Sequence, residues 1–314
     1  MRGVLPPDPS AVVGIGDDAA VLPVPDGRVV ASTDLLVEGR HFRRDWSAPE
    51  DIGAKAAAQN LADIAAMGAV PIALLFGLAI PGTTAVSWVL RVTSGMVAEC
   101  DRGGAAISGG DITAADTVML AITSLGHMNG RAPVTRGGAS AGDVVAISGP
   151  VGRSAAGLAV LQAGAPDDLA RLASLVDAHR RPQPDYQAGP RAADAGATAM
   201  IDVSDGLVAD LGHVAKASGV CIRLRSQDLA GSGELAAAAG KLGTDWRDWA
   251  LAGGEDHALA ATFPAASNVP DTWTVIGDVM AGSGILVDGQ RWARPAGWDH
   301  FRRSREGLAD HGPA

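Results

Sequence analysis

Between Arg28 and Trp292 the chain alternates short apolar, β-branched runs with helix-length amphipathic runs, and it does so in two rounds. The first round predicts strands at Arg28 to Val37 and Ala73 to Ile80 and helices at Ser47 to Met67 and Thr84 to Cys100. Two more strands follow, at Ala105 to Ser108 and Thr117 to His127, around a polar turn at Gly109-Gly110-Asp111. The first helix has Ser47 placed as its N-cap, Pro49 and Glu50 in its opening turn and Gly68 at its end. Asn129 to Gly142, rich in Gly, Ala and Arg, reads as a connection. The second round predicts a strand at Asp143 to Ser148 and helices at Ser154 to Gln162 and Leu169 to His179. A strand–helix–strand unit follows over Ala199 to Val203, Asp205 to Ser218 and Val220 to Leu224, and later strands lie at His257 to Phe263 and Trp273 to Gly277. A hairpin over Ile285 to Trp292 turns on Asp288-Gly289. The class is α/β or α+β, with two subdomains, 1–130 and 131–314, and a cleft between them. A length of 314 residues suits two domains of about 100–200 residues each.

Ile64 to Leu90 carries no charge, which invites comparison with a membrane span. Gly68, Pro71, Gly77, Pro81 and Gly82 interrupt it, whereas a span needs about 20 apolar residues in one helix. Met1 to Ser10 lacks an apolar stretch of signal-peptide type, so a soluble chain is expected. Cys100 and Cys221 are far apart and form no metal-binding spacing, as suits reduced thiols in the cytoplasm. A net charge of −10 argues against a nucleic-acid partner, whose binding surface is normally basic. Of 25 basic residues only Lys55, Lys216 and Lys241 are lysines.

The acids are concentrated on glycine-rich or strand-end turns. Asp17 and Asp18 sit in Gly14-Ile15-Gly16-Asp17-Asp18, and Asp34 follows Ser32 and Thr33 on a strand. Asp111 ends Gly109-Gly110-Asp111, Asp202 and Asp205 bracket Val203-Ser204, and Glu255-Asp256 follow Gly253-Gly254. On the first helix Lys55, Gln59 and Asp63 recur every four residues and therefore share a face. Any one of these is explained as an ordinary turn residue. Together, beside apolar strands where an unpaired carboxylate is costly to bury, they form a set of hard oxygen ligands that suits Mg²⁺ rather than Zn²⁺.

Glycine lets backbone approach a phosphate, and its N–H groups then serve as donors. No G-x-x-x-x-G-K-[ST] loop is present, nor the lysine and HRD set of protein kinases. A phosphate site here must therefore rest on divalent metal and arginine. Arg136 in Thr135-Arg136-Gly137 is the candidate guanidinium, the alternative being a solvated linker residue. Gly149 to Ser154 opens a helix and could present N–H groups to an anion.

Gly14 to Leu22 (GIGDDAAVL), Ser32 to Asp34 with Glu38 to Phe42, and Asn60 to Gly68 (NLADIAAMG) resemble the thiamine-monophosphate kinase family. So do Gly109 to Asp111, Thr135 to Gly137, Ser154 to Leu158, Ile201 to Asp210, Gly253 to Asp256 and Gly297 to Phe301, in the family's order. The resemblance implies the fold shared with aminoimidazole-ribotide synthetase. That fold has two α/β subdomains, N-terminal strands that form a homodimer interface, and ATP in the cleft. Carried over by position, Asp18, Ser32, Thr33, Asp34, Asp63, Asp111, Asp202 and Asp205 would surround several Mg²⁺ ions. Gly110, Asp111, Arg136 and Ser204 would contact ATP, and His41, Glu255 and Trp298 would form the thiamine-phosphate pocket. Asp34, Asp63, Asp111, Arg136 and Asp202 would carry catalysis. His257 stands where the family commonly has Tyr, and only 13 residues precede Gly14 where it usually has a helical stretch.

The chemistry agrees with this reading. A phosphate-monoester acceptor has its second pKa near 6, so its oxygen is already anionic at pH 7 and needs no general base. Catalysis then consists of alignment and charge neutralisation. The thiazolium cation suits a carboxylate such as Glu255 and an aromatic face such as Trp298, a contact worth about 0.5–2 kcal/mol, although Trp298 also reads as a packing residue. A selenophosphate synthetase or a hydrogenase-maturation protein would want a cysteine near one terminus, where Cys100 and Cys221 do not lie. The same carboxylates could also serve a metal-dependent phosphatase, or a regulator that binds nucleotide and metal without turnover.

Overall fold

The structure, a computed structural model, describes residues 11–12, 19–164, 172–229, 232–294 and 297. Strand β1 (Val29–Val37) leads to helix α1 (Pro49–Ala66), followed by β2 (Val70–Ile80), α2 (Val86–Gly103), β3 (Ala106–Ala114) and β4 (Met119–His127). The four strands form one sheet in the order β1-β4-β2-β3, antiparallel except for the parallel β2–β3 pair. Their alternation is the expected one. Leu36, Leu74, Phe76, Leu78, Leu120 and Ile122 point inward onto α1 and α2, while Val29, Leu35 and Leu75 on the other face stay exposed.

The helix termini show where local signals are overruled. Ala48, not Ser47, caps α1, and Asp51 accepts the Ala48 N–H at 3.3 Å. The expected turn at Gly109-Gly110-Asp111 is instead part of β3, because pairing with β2 continues through a register shift at Leu74/Leu75 and draws these residues into the ladder. Helices α1 and α2 cross closely. A methyl group added at Gly95 would fall 1.9 Å from the Glu50 carbonyl oxygen, and one at Gly53 would fall 1.9 Å from that of Val92. Only glycine permits that approach.

After the connection come β5 (Val144–Ile147), α3 (Arg153–Gln162), α4 (Ala173–Arg180), α5 (Ala188–Asp194), β6 (Ala199–Asp202) and α6 (Leu207–Ser218). The chain continues through β7 (Val220–Leu224), α7 (Ser232–Leu242), α8 (Trp246–Ala252), β8 (Leu259–Phe263), β9 (Thr274–Ala281), β10 (Gly284–Val287) and β11 (Gln290–Arg291). A seven-stranded sheet results, in the order β11-β10-β7-β9-β5-β8-β6. It is antiparallel apart from β7–β10, so the arrangement is α+β. One face packs on α3, α4, α6, α7 and α8. The other packs on α5 and on the end of α1, through Ala65 and Ala66. Helix α1 thus belongs to the cores of both sheets, since Ile52, Ala56 and Leu61 lie in the first. No described helix is long and apolar enough to cross a membrane.

Candidate active site

A cavity of about 1030 Å³ lies between the two sheets, walled by β1, α1, the β6–α6 turn and the loop after α8. Strand alternation decides what β1 contributes. Ser32 and Asp34 face the cavity, whereas Thr33 lies on the opposite face of the strand and donates its hydroxyl to the Ile122 carbonyl at 2.9 Å. The Thr33 hydroxyl therefore does not reach the site expected of it.

The shared face of α1 meets three different partners. Asp63 accepts from the Ser32 hydroxyl at 2.6 Å, Gln59 donates to Asp34 at 3.2 Å, and Lys55 donates to Glu255 at 3.0 Å. Burial pushes the Asp63 carboxyl up to about 7, the charges of Asp202 and Asp34 add to that rise, and the Ser32 hydrogen bond opposes it. Asp202, Ser204 and Asp205 complete this acidic wall from the β6–α6 turn. A single oxygen of Asp210 fixes that turn, accepting the N–H groups of Ser204, Asp205 and Gly206 at 3.0–3.1 Å. Burial, reinforced by the Asp202 charge, raises Asp210 to about 7.

The loop Gly253 to His257 forms the opposite wall. A methyl group at Gly254 would come within 2.3 Å of the Ser204 carbonyl oxygen, so the two turns touch at their backbones. Glu255 donates its N–H to that same carbonyl at 2.7 Å and takes φ +65°; His257 takes φ +54°. Left-handed backbone at two non-glycine residues stores strain in the loop. Burial opposes ionisation of Glu255, yet the charge and hydrogen bond of Lys55, together with His179 and His257, hold the carboxyl below its ordinary range. His257 lies 3.6 Å from Asp202. Burial disfavours its charged form, but the carboxylates of Asp202, Glu255 and Asp63 raise its pKa overall.

Sequence reasoning assigns no role in the site to His179, and to Ser154 only a backbone N–H for an anion, yet both line this cavity. His179 is pushed down to about 3 by burial and by the Lys55 charge, against the pull of Glu255. Its Nδ1 faces both Ser154 Oγ, at 3.1 Å, and Glu255 Oε2, at 3.5 Å. With both neighbours on one nitrogen, the three residues do not form a proton relay. Asp256 is a further residue whose role the sequence leaves open. It accepts the N–H groups of Gly152 and Ser154 at 2.5 and 2.8 Å, so these N–H groups at the start of α3 face a carboxylate rather than an outside anion. Asp210 and Asp256 both stand inside motifs visible in the sequence, while His179 gives no signal.

Arg136 lines the cavity with an exposed side chain, and His41 lies in the turn after β1. Gly110 and Asp111 are not brought to the cavity. They lie in β3, the edge strand, with Asp111 opposite Gly77 at its exposed end. Asp17, Asp18 and Trp298 lie outside the described residues. Gly297, beside Trp298, does line the cavity and rests on the Asp205 backbone. Among the described residues no three His, Cys, Asp or Glu side chains form a ready-made cage for a metal ion.

Two packed sheets with an acid-lined cleft between them define the class. Residues 16–128 match the family described as AIR synthase related protein, N-terminal domain. The chain is 49% identical over 294 residues to a thiamine-monophosphate kinase of Mycobacterium tuberculosis, covering 93% of this chain and 86% of the relative. It is 44% identical to that of Corynebacterium glutamicum, covering 91% and 88%. A solved structure of AaThiL complexed with AMPPCP and TMP superposes with a TM-score of 0.83 at 35% identity, covering 91% of this chain and 92% of that one. The chain belongs to the thiamine-monophosphate kinase family.

Proposed function

We propose that the chain transfers the γ-phosphoryl group of ATP to thiamine monophosphate, giving thiamine diphosphate and ADP. The observation that carries this reading is the convergence of Asp34, Asp63, Asp202 and Asp205 with Arg136 on one cavity between the sheets. The kinase relatives and the AaThiL complex with AMPPCP and TMP support it.

The carboxylates fit Mg²⁺. Burial raises Asp63 and the charges of Asp202 and Asp34 add to that rise, so a divalent cation is the partner that would favour its ionised form. Carboxylates spaced along one wall suit an ion that takes one or two protein carboxylates and completes its shell with water and substrate phosphates. Asp34, Asp63, Asp202 and Asp205 would hold the ions, with Ser32 orienting Asp63 and Gln59 orienting Asp34. When bound, Mg²⁺ neutralises charge on the transferring phosphoryl group. Arg136 would contact the phosphates of ATP, and Ser204 would contact the nucleotide from the turn that Asp210 fixes. Glu255 and His41 would face the thiamine end. The acceptor oxygen is already anionic at neutral pH, so these residues need to align it rather than deprotonate it.

Two sheets that share no strand support a division into domains at about 130/131. The apolar outer face of the first sheet, with Val29, Leu35 and Leu75 exposed, supports a homodimer formed through that face. Buried, unpaired Cys100 and Cys221 support a reducing, cytoplasmic location. The direct test follows ADP and thiamine diphosphate with and without thiamine monophosphate. Both products should depend on it; ADP at the same rate in its absence, or free phosphate alone, defeats the reading.

A further inference from the structure

We propose that Lys55 is a positioning residue for the acceptor end of the cavity, holding the Glu255 carboxylate on one wall and the His41 turn on the other. The side chain is 2% exposed and rises from the middle of α1. Its ammonium donates to Glu255 Oε2, 200 positions away, at 3.0 Å and to the His41 carbonyl at 3.1 Å. A buried ammonium is costly unless paired and hydrogen-bonded, and these two acceptors, one from each wall, supply that need.

Each acceptor is otherwise held in a special geometry. Glu255 takes a left-handed backbone that non-glycine residues avoid, and its N–H is tied to Ser204 at 2.7 Å. In the His41 turn, the N–H groups of Arg40 and His41 both reach the Val37 carbonyl, and the Val37 N–H donates to His41 Nδ1 at 3.0 Å. A neutral His41 ring must therefore carry its proton on Nε2. Lys55 fixes the backbone of this turn, so the ring and the Glu255 carboxylate keep a set separation. Two helical turns on, about 12 Å along α1, Asp63 faces the acidic wall. One helix face thus sets the distance between the acceptor end and the phosphate end.

The inference rests on the reading that Glu255 and His41 face thiamine monophosphate. Its test is steady-state kinetics, with thermal melting, on the wild type, Lys55→Met, Glu255→Gln and the double variant. Lys55→Met should raise KM for thiamine monophosphate about tenfold, the scale of one charge-assisted hydrogen bond, with KM for ATP within about twofold. The double variant leaves no buried charge unpaired and provides the comparison even where Lys55→Met alone fails to fold. Its KM for thiamine monophosphate should lie within about threefold of that of Glu255→Gln, because Lys55 acts largely through Glu255. An unchanged KM for thiamine monophosphate, an equal rise for both substrates, or a double variant about tenfold worse than Glu255→Gln overturns the proposal. A wild-type enzyme that consumes ATP without thiamine monophosphate overturns both this proposal and the functional reading beneath it, a result distinct from any change in the variants.

Discussion

The Ser32 hydroxyl and the Asp63 carboxylate meet at 2.6 Å, strand to helix, across the floor of the acidic cavity. This contact restrains an acid that burial and neighbouring charge otherwise drive toward protonation. Ser32→Ala should raise the Mg²⁺ concentration needed for half-maximal rate about tenfold, as loss of a ligand-orienting contact does. Asp63→Asn should lower turnover at least about 100-fold with the melting temperature retained. Full activity in the Asn variant sinks the metal assignment.

Asp210 gathers three backbone N–H groups that carry Ser204, Asp205 and Gly206. Asp210→Ala leaves them without that acceptor and should cost about 1–3 kcal/mol in urea unfolding. Turnover should fall as well, since the same turn presents Asp202 and Asp205. A variant with unchanged stability would mean that the turn holds itself.

Asp256 yields a pH dependence with a definite sign. Burial raises its folded pKa to about 6, against the backbone N–H groups of Ser154 and Gly152, from an ordinary value of 3.8. The neutral acid is relatively favoured in the folded state. Its contribution is therefore fully present below about pH 4 and lost as pH rises through about 6. Asp256→Asn cannot ionise, so its melting temperature should fall less than that of the wild type between pH 4.5 and pH 7. Parallel curves for the two proteins would count against the raised pKa.

Val29, Leu35 and Leu75 stand exposed on the face of the first sheet that points away from α1 and α2. Exposed large apolar side chains on one sheet face suit an interaction site. Light scattering should report a dimer for the wild type and the mass of one chain for Leu35→Glu/Leu75→Glu, since charges directed into an apolar interface oppose association. An unaltered mass places the association surface elsewhere.

Local signals carried part of this site. The four-residue spacing of Lys55, Gln59 and Asp63 placed them on one face, and that face does line or brace the cavity. The alternation of β1 also separates Ser32 and Asp34 from Thr33, since period two sends successive side chains of the Ser-Thr-Asp step to opposite faces. What stayed hidden depends on partners distant in sequence. Gly110 and Asp111 lie in β3 because β2 pairs with them through a shifted register. Lys55 finds its charge partner 200 residues away. Helices α5 and α8 have only seven residues each, about two turns, and α7 carries the uniform run 236–239 between two glycines, so a helical period hardly shows; packing on the larger sheet defines them instead.

Helix α1 packs Ile52, Ala56 and Leu61 into one core and Ala65 and Ala66 into the other. Neither half can lose its order while this helix stays fully packed in the second. Heating should therefore give one calorimetric transition rather than two, and a ligand that tightens either wall of the cavity raises the melting point of the whole chain.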